Sequence, residues 1–447
     1  MRRCDLGQCE SGTGLAGSVV IVQVENVFSL SAKAVSPAIA STWRSIPGGL
    51  TAPLDFQAAG ITAGLKDSGK PDLALLLAPE GAICAGTFTT SLVRAACVEL
   101  CADRLKATDG IARAVLTNSG QANACTGDRG MQDSLQATQR LAEQLGLPVE
   151  QVLICSTGVI GVPIPMDTLL AGLNPLVEAL NDDGGAQAAK AILTTDLVEK
   201  QVAVEAELGG RCVRIGGMAK GSGMIHPDMA TMLGFLSCDV GISVDVWQEM
   251  VKRVVDRSFN AITVDGDTST NDSFLAFAAG EPLELEHLDA LEVGLTAVAQ
   301  HLAKAIARDG EGATCLLEVQ VDGAHSDADA RRIARTICGS SLVKTAVHGR
   351  DPNWGRIVAA AGRAGVVFDP AAVALWLGPH QLMEFGEPLP FDRLAASRYI
   401  QERVDGAYLS DDTARIRLLV GTGPGNGIAW GCDLSDQYVR INADYTT

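Results

Sequence analysis

The sequence predicts an α/β (α+β) fold, because short apolar runs of strand length alternate with amphipathic helical stretches along both halves of the chain. The strand-like runs are Leu73–Leu77, Ala114–Leu116, Gln151–Cys155, Gln201–Glu207, Cys315–Val321 and Ala414–Val420. Three consecutive leucines at 75–77 suit a buried strand, and the alternation from Gln201 to Glu207 suits a half-exposed one. Among the helical stretches, Trp247, Met250, Val251, Val254 and Val255 share one face, with Ser243 available as a cap. Leu288, Leu291, Leu295, Val298, Leu302 and Ile306 form a second stripe that Gly310 would stop. A third helix spans roughly Asp133–Leu145 and closes at Gly146. No internal repeat interrupts this order, and Asp182-Asp183-Gly184-Gly185 is too short to mark a domain boundary.

Composition narrows the function classes. The chain has 447 residues, with 35 Lys and Arg against 53 Asp and Glu, a net charge of −18. Such an acidic chain offers no basic face to track a nucleic-acid backbone. It contains no run of about 18 uncharged apolar residues of the kind a membrane span needs. Its twelve cysteines are scattered among apolar neighbours without a CxxC, and the close pair Cys97 and Cys101 has no nearby histidine to complete a zinc site. They read as small core side chains and reduced thiols of a cytoplasmic protein, and no metal is expected. Arg2, Arg3 and Val19-Val20-Ile21-Val22 hint at a targeting peptide, but Asp5 and Glu10 fit neither the secretory nor the transit pattern. Residues 1–40 are therefore read as a poorly ordered extension.

The common catalytic signatures are absent: no GxSxG elbow, no GxxxxGK[ST] loop and no HExxH occurs. Gly421-Thr-Gly-Pro-Gly-Asn-Gly fails the dinucleotide register and reads as a surface turn. Asp265, Asp267 and Asp272 begin like a calcium loop, but Thr270 and Ala276 stand where glycine and glutamate are needed. Turn capping suits these carboxylates, with a substrate-facing role left open.

The segment from Gly216 to Gly234 differs. It crowds glycines and Pro227 around Lys220 and then enters an apolar run at Thr231, preceded by the small Ala230. Glycines permit tight bends and close approach to a ligand, and a lysine among them suits an anion. A threonine after such a turn can attack the preceding carbonyl, and an N→O acyl shift followed by hydrolysis would free its α-amine. That amine, with an ordinary pKa near 7.7–8.0, can act as base for its own hydroxyl. The plain alternative is a threonine that opens a strand.

With its Met-Ala230-Thr231-Met-Leu core, Lys220–Leu233 resembles the self-cleavage site of the ornithine acetyltransferases, the arginine-biosynthesis bifunctional glutamate N-acetyltransferases. Matching blocks run nearly the whole chain from Trp43. They include Asn118-Ser-Gly-Gln-Ala-Asn-Ala-Cys-Thr-Gly127, Cys155-Ser-Thr157-Gly158-Val-Ile-Gly161, Ala191-Ile-Leu-Thr194-Thr195-Asp196, Asp265-Gly-Asp-Thr-Ser-Thr-Asn-Asp272, Asp309-Gly-Glu311 and Asn442-Ala-Asp-Tyr-Thr-Thr447. Two positions depart from the family pattern: Asp228 and Gln121 stand where asparagine is common.

The resemblance implies helices layered on sheets in the self-processing fold shared with certain aminopeptidases. It implies cleavage between Ala230 and Thr231 into an α chain, 41–230 after the extension, and a β chain, 231–447, assembled as an α2β2 heterotetramer. Thr231 would be the nucleophile, Thr157 and Gly158 the oxyanion hole, and Thr194, Thr195, Lys220, Thr231, Glu311, Asn442 and Thr447 the substrate contacts. The implied reaction moves acetyl from N-acetylornithine to glutamate through acetyl-Thr231. No cofactor would be permanently bound, though some members also take acetyl-CoA as co-substrate. Without the resemblance, Thr157-Gly158 suits a plain turn, Lys220 and Glu311 suit loop charges, and Thr194-Thr195 suits a local cap. His226, near the nucleophile, reads as a turn residue. Two rivals remain at this stage: a self-processing aminopeptidase or amidohydrolase, and a non-catalytic binding protein on the same scaffold.

Overall fold

Among the described residues, 43–226 and 232–443 of this computed structural model, sixteen strands form three sheets. The expected extension 1–40, Asp228, the pair Ala230–Thr231 and Thr447 lie outside the described residues. In chain order the first eight strands are β1 (Arg44–Ile46), β2 (Gln57–Ile61), β3 (Leu73–Leu77), β4 (Ile83–Phe88), β5 (Ala114–Gln121), β6 (Val152–Val159), β7 (Lys200–Leu208) and β8 (Arg211–Lys220). The others are β9 (Leu233–Cys238), β10 (Ser273–Ala278), β11 (Leu316–Ala324), β12 (Ala374–Leu377), β13 (His380–Glu384), β14 (Glu387–Pro388), β15 (Thr413–Leu419) and β16 (Gly425–Cys432).

Two sheets stack face to face between helical layers. The first has the order β1-β7-β8-β9-β10-β4 and the second β2-β3-β5-β6. Side-chain alternation explains why β10, Ser-Phe-Leu-Ala-Phe-Ala, is buried throughout. Phe274 and Ala276 face the helices Val244–Asp256 and Leu288–Arg308, whereas Leu275 and Phe277 meet Leu76 and Val115 of the second sheet. The helices Ala96–Ala107, Gly127–Leu145 and Met166–Glu178 cover that sheet's outer face through Val98, Leu141 and Leu173. The third sheet, β14-β13-β12-β15-β11-β16, has its own core with Ile333 and Ile337 of the helix Asp327–Cys338.

The expected elements are found, with differences at their edges. Gly146 closes the third expected helix in the left-handed conformation, φ 66°, but that helix starts at Gly127, where a polar first turn hides the apolar period. The second stripe ends at Arg308 rather than at Gly310. Ser243 precedes its helix in extended conformation, yet its side chain makes no capping bond; the first helical bond runs from the Trp247 amide to the Ser243 carbonyl. The run Gln201–Glu207 is not half-exposed, since Glu207 is exposed, Gln201 is half-buried and the five residues between them are buried. Flanked by β1 and β8, β7 hides Glu205 beneath Arg44 and Arg214. Gly425 to Gly427, expected in a surface turn, begin β16 beside Ser326 and Arg331, against whose backbone a side chain at Gly425 or Gly427 would collide. Ten cysteines fall among the described residues, all free thiols; eight are buried, while Cys125 and Cys212 are exposed.

Candidate active site

Lys220 ends β8 and Thr157 lies near the end of β6, so the two stacked sheets bring them together at one edge. The Lys220 ammonium donates to the Thr157 hydroxyl at 3.2 Å, and both residues are buried. Burial lowers the proton affinity of Lys220 although Asp196, Asp272 and Glu311 act to raise it.

Gly158 follows at φ 135°, in register with Gly120 of β5. A Cβ there would sit 2.2 Å from the Gly120 carbonyl carbon, so both space and backbone angle demand glycine. Thr157 and Gly158 thus occupy a fixed, irregular strand end rather than a replaceable turn.

Beyond Lys220 the chain passes Gly221, Ser222 and Gly223 and meets the turn after the helix Leu288–Arg308. The Glu311 amide donates to the Ser222 carbonyl at 3.0 Å, and the Ser222 hydroxyl donates to the Asp309 carbonyl at 2.7 Å. A Cβ on Gly223 would stand 2.6 Å from the Glu311 carboxylate, which therefore packs directly on this glycine. Glu311 is only 8% exposed, unlike a surface loop charge, and accepts from the Asn442 side chain at 2.7 Å. Lys220, Thr157, Glu311 and Asn442 are therefore joined through one continuous set of contacts.

An ion cluster behind them went unassigned in the sequence. Lys200 donates to Asp196 at 2.8 Å and to Asp309 at 2.6 Å, and all three side chains are buried. Asp196 also receives the Gly221 amide at 2.7 Å and the Thr194 amide at 3.0 Å. Burial pushes the Asp196 carboxyl upward, but Lys200, Lys220 and these hydrogen bonds outweigh it and hold it well below the usual carboxylate range. Burial likewise opposes the charge on Lys200, and its two carboxylates prevail. The cluster fixes Thr194 beside the site and leaves Thr194 and Thr195 half-buried. In sequence, Asp196 and Lys200 look like any surface i,i+4 pair; their burial is set by packing between sheets.

The aspartates at 265–272 divide. Asp265 caps a turn as expected, receiving the Met224 amide at 2.6 Å and the Ile225 amide at 2.8 Å, with Met224 held at φ 56°. Asp272 is 2% exposed, and burial pushes its carboxyl well above the usual range despite Lys220. Its next residue, Ser273, donates its amide to the carbonyl of Met232, which follows Thr231 in the chain. His226 shares a 2.9 Å hydrogen bond with Thr263.

The model of the ArgJ family matches residues 57–447. An "Arginine biosynthesis bifunctional protein ArgJ" from Prochlorococcus marinus (strain MIT 9313) is 83% identical over 424 residues, covering 95% of this chain and 99% of that protein. A protein of the same name from Parasynechococcus marenigrum (strain WH8102) is 71% identical over 92% of this chain and 98% of its own. Among solved structures, ornithine acetyltransferase from Mycobacterium tuberculosis, complexed with ornithine, is 41% identical at a TM-score of 0.40, covering 42% of this chain and 100% of that one.

Replacing Lys200 with methionine leaves two buried carboxylates without their shared cation, and should cost about 3–5 kcal/mol in urea unfolding. Neutralising Asp196 and Asp309 as well, with Asn at both, should recover part of that loss. A Lys200→Met protein within about 1 kcal/mol of wild type would show that the cluster is not the joint described.

Proposed function

We infer the chemistry of this site from one premise: the chain belongs to the ArgJ family, and it is an acetyltransferase of arginine biosynthesis. The reaction is acetyl transfer from N-acetylornithine to glutamate by a ping-pong route through Thr231. The observation that carries this reading is the Lys220–Thr157 contact, which places a buried cation and hydroxyl beside the backbone of Gly158 at the edge where β9 begins.

Thr231 acts only after its amide bond to Ala230 is broken, because the intact precursor lacks the α-amine that serves as base. The products are an α chain ending at Ala230 and a β chain starting at Thr231, with residues 1–40 an extension of the first. Described residues from both sides of the cut interlock, as Asp196 and Lys200 precede it and Asp309 and Glu311 follow it. Cleavage would therefore leave one folded unit.

In the first half-reaction the Thr231 hydroxyl attacks the acetyl carbonyl. The Thr157 hydroxyl and the Gly158 amide stabilise the oxyanion, the amine of Thr231 takes the hydroxyl proton, and ornithine leaves as that proton returns to its nitrogen. Glutamate's amine then attacks acetyl-Thr231, giving N-acetylglutamate and free threonine. Lys220 suits an amino-acid carboxylate, and Glu311 with Asn442 suits an ammonium group. Thr194, Thr195 and Thr447 complete the substrate contacts. Burial of Lys220, Thr157 and Glu311 limits the water that would otherwise hydrolyse the acetyl-enzyme.

Acetyl-CoA is a second donor for the same nucleophile, and no cofactor is permanently bound. Two α–β pairs form the α2β2 assembly, located in the cytoplasm. Among the described residues no helix is long and apolar enough to cross a membrane.

Replacing Thr231 with alanine should give a single uncut chain without transferase activity; mass measurement showing two chains would remove Thr231 from the role. Thr157→Ala should lower kcat by roughly 10²–10³-fold while the chain still folds, and unchanged turnover would remove the hydroxyl from the oxyanion hole.

A further inference from the structure

Lys66 is a lysine near this site that takes no part in the mechanism above. It stands at the end of a turn whose four amides, Ala63 to Lys66, all donate to the Asp72 carboxylate at 2.6–3.1 Å. Asp72 is fully buried, so the turn is held rigidly. A Cβ built on Gly120 would lie 3.4 Å from Lys66 Cγ and 3.1 Å from the Leu65 carbonyl oxygen, and the Gln121 side chain donates to that same carbonyl at 2.8 Å. Gly120 is the register partner of Gly158, so the Lys66 stem lies one strand away from the oxyanion pair. At its far end the ammonium donates to the carbonyl of Leu193, the residue before Thr194, at 2.6 Å, and to that of Pro71 at 2.9 Å.

This geometry spans two parts of the site with an unbalanced charge. Both hydrogen-bond partners are neutral carbonyls, and an ammonium has three protons to give. The Asp72 carboxylate, which favours the charge, is already occupied by four amides. Burial and the charge of Lys220 bring the Lys66 proton affinity down to about 8. Among the described residues this half-buried cation has a donor to spare and no carboxylate paired with it, Asp72 and Asp196 acting on it only through their charge; with Lys220 it forms half of an anion site.

We propose that Lys66 binds a carboxylate of the amino-acid substrate, acting with Lys220 as a second cation of the same subsite. The proposal rests on the acetyl-transfer reading above. The carboxylate is either the α-carboxylate, common to N-acetylornithine and glutamate, or the side-chain carboxylate that glutamate alone carries.

Paired substrates separate these cases. The preference of the full-length enzyme for N-acetylornithine over its α-carboxamide, and for glutamate over glutamine as acceptor, is measured as ratios of kcat/KM in wild type, Lys66→Met and Lys66→Arg. Loss of a charge-assisted contact should lower the preference by about 10–100-fold in Lys66→Met, with Lys66→Arg retaining most of it. A drop in the donor ratio marks the α-carboxylate, and a drop confined to the acceptor ratio marks the side chain. If Lys66 only ties down the Leu193 loop, acid and amide lose activity together and both ratios stay unchanged, which overturns the proposal. Wild-type enzyme that moves no acetyl group between these substrates would instead overturn the underlying reading, and the proposal with it.

Discussion

Lys200, shared between Asp196 and Asp309, is the constraint from which the rest of the site follows. Through Asp196 it sets the amides of Thr194 and Gly221, and through Asp309 it sets the turn that delivers Glu311. Three segments distant in sequence thus converge on one buried cation. Burying such a cluster adds little net stability over an apolar equivalent, because desolvation offsets most of the Coulombic gain. Its effect is geometric: the partners of each carboxylate are fixed in number and direction, so the loops they anchor have one arrangement. Lys220 also lowers the Asp196 carboxyl, so the cluster and the substrate-binding lysine are electrostatically linked through Asp196.

Around that joint, close backbone contacts set the reacting edge. Gly158 against Gly120 and Gly223 against Glu311 leave no room for a side chain, so backbone and carboxylate come nearer than side chains would allow. The same closeness explains how a site composed of Thr, Gly, Lys, Glu and Asn can carry acyl transfer without a histidine base. In the proposed mechanism the base is the amine that chain cleavage would supply, and the fold contributes orientation, charge and dryness.

Much of this was legible in the sequence. Apolar periodicity located the strands and the long helices because those elements bury one face or two, and that burial writes itself into residue spacing. Thr157, Lys220, Glu311 and Asn442 were named from motif resemblance, and the structure brings these four together. Spacing could not show that Asp196, Lys200 and Asp309 meet, since 109 residues separate Lys200 from Asp309 and charged residues ordinarily face solvent. Lys66 was hidden for a similar reason: its neighbours Gly120 and Leu193 come from other strands and loops. The half-exposed reading of β7 failed because its charged alternation, Glu205 especially, is satisfied by arginines within the sheet rather than by water.

Passage of the acetyl group through Thr231 is tested by a denatured mass spectrum of the enzyme quenched after mixing with N-acetylornithine alone. The expected result is a chain beginning at Thr231 that is heavier by one acetyl group, carries that group on its first residue, and loses it when glutamate is added before the quench. A chain that stays unmodified at every quench time, while N-acetylglutamate still forms once glutamate is present, would contradict it.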